Sequence, residues 1–224
     1  MAIAMPAVAG HPNRLPFRGV LTLVDAPSER APAGARGHRV LLTRAAADHA
    51  LPSLLGMGLD YTPSLDGHDA RRKVGIITAA EIVPSTEYRV PSKNGNSQLA
   101  TRYSVLEVSG YLFAKDFPDV VRELRAAGNS LGMSYEVADA KVADVSAQIW
   151  TLNEVTFTGA AVLKKTKAAY AGTSIELDAG VSSLRFPGSR GRSEMAAQTN
   201  ATQTNATQKN VAQTNVAQTN KEKK

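Results

Sequence analysis

The end of the chain repeats a five-residue unit, and this repeat limits which residues can fold. Each unit begins with glutamine, at Gln198, Gln203, Gln208, Gln213 and Gln218. A period of five matches neither the 3.6-residue turn of a helix nor the two-residue alternation of a strand, so no apolar face forms. Residues of this kind cannot bury enough apolar surface to offset the conformational entropy lost when the backbone becomes ordered, which costs about 1–2 kcal/mol per residue. We therefore predict that residues 183–224 are a disordered tail.

The net charge of +6 lies mostly in this tail. Residues 183–224 hold seven basic and two acidic residues, whereas residues 1–182 hold 19 basic and 18 acidic residues. A basic chain often has a polyanionic partner, but here the part that folds is almost neutral. We therefore expect no nucleic-acid partner. The hypothesis of a nucleic-acid-associated internal protein is supported only by the positive charge of the tail.

The chain contains no cysteine, which excludes a disulfide framework, a thiol nucleophile and cysteine-based metal sites. No apolar run approaches the ~20 residues of a membrane-spanning helix. The first residues are apolar but follow no cationic segment, so they make a poor signal peptide. We predict a loose arm over residues 1–16 and a soluble intracellular protein with no membrane partner. We also predict no cofactor and no metal site, because no histidine or acidic pair has metal-ligand spacing.

Residues 17–182, between the arm and the tail, have the pattern of a β-dominated domain. The β-rich runs predict strands over residues 19–27, 39–42, 73–82, 103–113, 133–142 and 148–157. Apolar residues at helical spacing predict a helix over residues 117–127, with Asp116 as its N-cap. Alanine-rich stretches predict two further helices, over residues 45–55 and 164–171. The predicted fold class is therefore α+β.

Three side chains are candidates for chemistry, and each also has a plainer structural explanation. His68 lies in a turn-rich stretch before a predicted strand, where it is either an exposed base or part of a polar loop. Ser134 follows Gly128 and Gly132, which either leave backbone amides free to hold an oxyanion or only mark a turn. Glu154 alternates with apolar residues, so it either orients an imidazole or lies on the exposed face of a strand.

The order of these segments resembles the prohead (capsid maturation) serine proteases of tailed bacteriophages. In that family a histidine in a short turn precedes a strand with a glycine, as His68 precedes Gly75 here. A strand, an amphipathic helix and a glycine-punctuated turn then lead into a serine-bearing strand, here with Ser134. The last strand has a Glu-Val-Ser-like start and an alanine-rich ending, and here it starts Glu154-Val155-Thr156. The resemblance covers residues 17–175.

The resemblance implies a compact β-barrel-like domain surrounded by a few helices, as in herpesvirus maturation proteases. It implies a serine endopeptidase in which Ser134 is the nucleophile, His68 the general base and Glu154 the residue that orients the imidazole. Asp69 and His49 are alternatives to Glu154 as this third member. The implied substrates are the major capsid protein, scaffold segments and the protease itself. Cleavage would take place inside the assembling prohead in the host cytoplasm, where the protease would also self-associate.

The chain departs from the family pattern at Glu136, because many members have glycine two residues after the serine. This acidic side chain either lies close enough to repel an oxyanion or points to the other face of the strand. The alternative function is therefore a non-catalytic capsid scaffold or assembly protein that keeps the protease fold.

Overall fold

The structure is a computed structural model that describes residues 1–6, 8, 10–85 and 103–178. The predicted tail over residues 183–224 lies outside the described residues. The first residues, predicted to be a loose arm, instead bind to the fourth strand through their backbone. The terminal amine of Met1 donates to the Ala80 carbonyl at 2.7 Å, and the Ile3 amide donates to the Thr78 carbonyl at 2.8 Å.

The described chain is mostly strand, with two α-helices and two short 3₁₀ turns. The strands are β1 (Leu15–Val24), β2 (Arg39–Leu42), β3 (Gly58–Tyr61), β4 (Lys73–Pro84), β5 (Ser104–Leu112), β6 (Leu131–Val142), β7 (Ile149–Lys164) and β8 (Ser174–Leu177). The helices are α1 (Arg44–Ala50) and α2 (Pro118–Ala127), and the 3₁₀ turns are Leu51–Leu54 and Gly128–Ser130. The prediction of a mixed α+β chain dominated by strands is confirmed.

All eight strands join one curled, half-barrel sheet in which β7 has three partners. The hydrogen-bonded order is β2-β7-β3-β4-β5-β1-β8, and β6 pairs with β7 along its other edge. Strands β2 and β3 run parallel to β7, whereas β6 runs antiparallel to it. Strand β1 also packs against β6, so the sheet curls around a single main core.

A bulge at Thr158 changes which side chains of β7 face the core. Before it, Val155 and Phe157 are buried in the main core; after it, Ala160 and Val162 are. The register confirms the extra residue, because Glu136 pairs with Gly159 whereas Val137 pairs with Phe157. Residues 159 and 161 therefore lie on the outer face of the sheet, opposite the main core.

Helix α2 was predicted correctly because its apolar residues form one stripe. Val120, Val121 and Leu124 are buried, and the helix ends at Gly128, whose φ of 49° suits glycine. The N-cap is Phe117 rather than Asp116, because the Asp116 carboxylate accepts a hydrogen bond from Asn13 at 2.7 Å. Neither helix of the described residues is long and apolar enough to cross a membrane.

The predicted helix over residues 164–171 is wrong. Strand β7 extends to Lys164, and turns follow it. Composition alone indicated a helix here. In the structure the guanidinium of Arg30 donates to the carbonyls of Thr166 and Ala168 in these turns.

Two carboxylates of like charge stand directly opposite each other on β4 and β5, and this pair yields a stability prediction. Glu81 pairs with Glu107, and burial together with Glu81 raises the pKa of Glu107. A raised pKa means that the ionised form is disfavoured in the folded state, so the cost is present at neutral pH and vanishes in acid. We expect Glu107→Gln to raise the free energy of unfolding by about 0.5 kcal/mol at neutral pH.

Urea unfolding at pH 7 and below pH 4 measures this effect, and Glu154→Gln is the matched control. Glu154 also stands in a cross-strand pair, but its partner is Lys141, so neutralising it should give no gain. An equal gain in both variants at pH 7 would contradict the assignment of the effect to the Glu81–Glu107 repulsion.

Candidate functional site

The outer face of the sheet carries a row of four residues from four neighbouring strands. Ser134 on β6 pairs with Ala161 on β7, which pairs with Asp60 on β3, which pairs with Lys73 on β4. Directly opposed residues of neighbouring strands point to the same side of a sheet. These residues therefore share one face, and the next row adds Glu136 beside Ser134.

Small residues form the floor of this site. Glu136 stands opposite Gly159, and a Cβ atom on Gly159 would lie against the Glu136 carboxylate and 3.2 Å from Nζ of Lys73. Ala161 is fully buried between Ser134 and Asp60. The absence of larger side chains leaves room for charged groups above the sheet.

The imidazole of His68 is placed above this floor by a loop that Asp60 anchors. Oδ1 of Asp60 accepts a hydrogen bond from the backbone N–H of Asp69 at 3.4 Å. Nδ1 of His68 lies 3.2 Å from Oε1 of Glu136 and 3.6 Å from Oδ2 of Asp60. The contact with Glu136 is the shorter of the two, and it is an ion-pair contact in which Oε1 of Glu136 faces Nδ1 of the ring.

Lys73 supplies a positive charge between the two carboxylates. Its Nζ lies 3.2 Å from Oδ2 of Asp60 and 3.3 Å from Oε2 of Glu136. The side chain of Asp60 has no exposed surface, whereas those of Glu136, His68 and Lys73 are 21 %, 26 % and 31 % exposed. The cluster is thus closed toward β3 and open to solvent above β6.

Burial of Asp60 is offset by its partners. Removal from water disfavours the charged carboxylate, but the contacts with His68, Glu136 and Lys73 outweigh this penalty, so the pKa of Asp60 lies below its ordinary value. The carboxylate is therefore ionised at neutral pH and holds both the His68 loop and the lysine.

Ser134 stands next to this cluster without touching it. Its Cα lies about 10 Å from that of Asp60 across Ala161, and about 7 Å from that of Glu136 along β6. Among the described residues, the Ser134 hydroxyl makes no hydrogen bond with His68. A small pocket opens beside Ser134 and is lined by Leu21, Pro32, Met133, Tyr135, Ala169 and Tyr170.

The structure does not bring Glu154 to His68. Glu154 pairs across the strands with Lys141, and its Oε2 lies 2.8 Å from the lysine Nζ. It lies seven residues along β7 from Ala161, the partner of Ser134, which is more than 20 Å of extended strand. The glutamate whose carboxylate lies at His68 is Glu136.

The structure decides between the two alternatives for Glu136. It does not point away from the face of Ser134, because residues two apart on a strand share a face. Its carboxylate contacts the imidazole and the lysine rather than standing free beside the serine. The departure from the family pattern is therefore the residue that completes the cluster.

The other candidates for the third member and the oxyanion donors lie elsewhere. The carboxylate of Asp69 accepts the Arg71 amide at 3.0 Å within its own turn, and His49 is exposed in the last turn of α1. The amide of Gly128 donates to the Leu124 carbonyl, so this amide does not serve an oxyanion, and Gly132 lies within β6 opposite Leu163.

Three groups of the cluster could also bind a metal ion. One ligand atom each from Asp60, His68 and Glu136 lies within 4.8 Å of the others. The ammonium of Lys73 already occupies the position between the two carboxylates, so the chain provides its own cation there. The three ligands lie far apart in the sequence, so no local ligand spacing indicates this group.

Asp60 and Lys73 were not recognised from the sequence. Asp60 lies within the short segment Gly58–Tyr61, which shows little strand pattern, and Lys73 is the first residue of a strand. A charged residue between two apolar residues of a strand ordinarily faces solvent, so the sequence carries no signal that Asp60 is buried.

No family model, no curated protein and no solved structure matches this chain.

Asp60→Asn tests the anchoring role of the buried carboxylate. An aspartate with a lowered pKa stabilises the fold above its ordinary pKa of about 4, and this contribution is lost as the pH falls further. We expect the variant to lose about 2 kcal/mol of unfolding free energy at neutral pH and to show a smaller loss than wild type between pH 5 and pH 2. Urea unfolding across this range measures both, and parallel pH curves would contradict the role.

Gly159→Ala tests the floor. Alanine is normally better than glycine within a strand by about 0.5–1 kcal/mol, but here its Cβ would press on Glu136 and Lys73. We expect the variant to be destabilised by about 1–3 kcal/mol. Gly67→Ala, beside His68 with nothing within 4 Å of the added Cβ, is the control and should be neutral or stabilising. A stable Gly159→Ala variant would show that the floor is not needed.

Proposed function

We propose that the protein is a serine endopeptidase of the prohead maturation type, with Ser134 as nucleophile and His68 as general base. One observation carries the proposal: a carboxylate-bound imidazole lies on the same face of the sheet as a serine that is two residues from that carboxylate. A nucleophile, a base and a group that orients the base are the three parts of such a site.

The proposed chemistry assigns one role to each side chain. Nδ1 of His68 is engaged by Oε1 of Glu136, which leaves Nε2 as the nitrogen that accepts the Ser134 proton. Oγ of Ser134 attacks the peptide carbonyl, and His68 returns the proton to the leaving amine. The imidazolium formed in between faces the carboxylates of Glu136 and Asp60, which stabilise its charge.

The surroundings of Ser134 support a peptide substrate. Within the described residues, β6 pairs as a strand only with β7. On its other edge the Met133 amide donates to Oγ1 of Thr173 at 3.2 Å, whereas residues 138–141, further along the strand, are exposed. An extended peptide can add to such an edge through backbone hydrogen bonds. The small pocket lined by Met133, Tyr135 and Tyr170 adjoins this edge. The proposal includes a barrel-like fold related to that of herpesvirus maturation proteases, and capsid and scaffold segments and the protease's own tail as substrates.

A second candidate is a non-catalytic head-assembly protein with the same fold. It is favoured by the lack of a hydrogen bond between Ser134 and His68 in the described part of the chain. The two candidates differ in whether Ser134 is reactive.

Two glutamates on neighbouring strands give a matched test of the proposal. We expect a fluorophosphonate probe to label Ser134 in the full-length chain, and the label to be absent in Ser134→Ala and His68→Gln. We expect Glu136→Gln to lower the labelling rate by at least about 100-fold because the imidazole loses its orienting carboxylate. Glu154→Gln should label like wild type. Intact-mass spectrometry measures both labelling and self-trimming, alone and with major capsid protein.

Three results would contradict the proposal or one of its residue assignments. Labelling or trimming that survives Ser134→Ala would overturn the nucleophile. Loss of labelling in Glu154→Gln but not in Glu136→Gln would restore Glu154 as the orienting residue. An unlabelled wild type that still binds capsid protein would establish the assembly function instead.

A further inference from the structure

Lys73 is the one member of the cluster to which the proposed chemistry gives no role. It is the first residue of β4 and stands opposite Asp60 in the sheet. Its side chain nevertheless reaches Oε2 of Glu136 on β6, so it spans the positions of β3 and β7. A lysine that reaches across two strands to one carboxylate oxygen is extended along the outer face.

Two glycines make this extended conformation possible. A Cβ on Gly58 would lie 2.6 Å from Cδ, 2.9 Å from Cγ and 3.2 Å from Cε of Lys73. A Cβ on Gly159 would lie 3.2 Å from Nζ. The stem thus lies directly on the backbone of Gly58, and the ammonium lies above Gly159.

The two oxygens of Glu136 have different partners. Oε2 faces the ammonium of Lys73 at 3.3 Å, and Oε1 faces Nδ1 of His68 at 3.2 Å. A glutamate side chain at a partly exposed position has several rotamers and loses entropy when it is fixed in one. The ammonium, itself tied to Asp60, fixes the carboxylate in the rotamer that presents Oε1 to the imidazole.

We infer that Lys73 is a positioning residue: its ammonium holds Oε2 of Glu136, so that Oε1 of the same carboxylate orients His68. Gly58, beneath the stem, and Gly159, beneath the ammonium, set where that ammonium lies. The catalytic consequence rests on the proposed function, whereas the orientation of the imidazole does not.

The position of the charge and the charge itself can be separated experimentally. Lys73→Met removes the charge. Gly58→Ala keeps the charge but displaces the stem, and because the crowded atoms belong to a flexible side chain, the fold can adapt. Lys141→Met is the control for loss of a lysine–glutamate pair on this sheet, since Lys141 binds Glu154 rather than the cluster. Gly67→Ala is the control for adding a methyl group beside His68.

The first readout is the NMR signal of the His68 Nδ1 proton, which is protected from exchange while Glu136 binds it. The signal is assigned by its absence in His68→Gln. We expect it to be lost in Lys73→Met, to be broadened at least twofold in Gly58→Ala and to be unchanged in both controls. Urea unfolding at the same pH confirms that each variant is folded.

The second readout is the rate of fluorophosphonate labelling of Ser134. We expect a decrease of about tenfold or more in Lys73→Met and an intermediate decrease in Gly58→Ala, because small misplacements of a catalytic group are costly. The controls should stay within twofold of wild type.

The outcomes separate this inference from the proposed function. An unchanged proton signal in Lys73→Met overturns the inference. Loss in Lys73→Met with a wild-type signal in Gly58→Ala also overturns it, because charge and not position would then matter. If the proton signals follow the expected pattern while wild-type Ser134 stays unlabelled, the positioning role holds and the peptidase proposal fails.

Discussion

The bulge at Thr158 is the local constraint that the arrangement of this protein depends on. Strand β7 must bury side chains in the main core along its whole length while it pairs with β2, β3 and β6. One extra residue reverses the alternation, so that Ala160 and Val162 enter the core and Gly159 and Ala161 face outward. Without the bulge, Gly159 and Ala161 would face the core, and Ala160 and Val162 would lie in the space of the cluster.

The outer cluster satisfies the physical condition for buried charge. Asp60 is inaccessible to water, and such a carboxylate is tolerated only when it is paired and hydrogen-bonded. The pairing is shared among an amide of the His68 loop, the imidazole and Lys73. The same contacts that make the carboxylate tolerable therefore also position the imidazole, and structural stability and ring orientation have a common origin.

Elements with a local apolar pattern could be predicted from the sequence, and those decided by distant contacts could not. Helix α2 follows from three apolar residues on one stripe, and β4 and β5 from their β-rich composition. The four-residue strands β3 and β8 carry too little pattern. In the site, the turns point to His68 and Ser134, whereas Glu154 follows only from the resemblance. The contact of Glu136 with His68 depends on the pairing of β6 with β7 and on the loop that Asp60 anchors, and neither is encoded locally.

The position of the cluster on the outer face has a consequence for which amino-acid substitutions the protein tolerates. The main core and the charged cluster occupy opposite faces of one sheet and share no side chains. Substitutions that repack the interior around Phe157 can alter thermal tolerance while the polar surface above Gly159 keeps its geometry. Conversely, the chemistry of the surface can be rewritten at a few positions without rebuilding the hydrophobic interior. The sheet thus acts as a partition between two sets of residues that can vary independently.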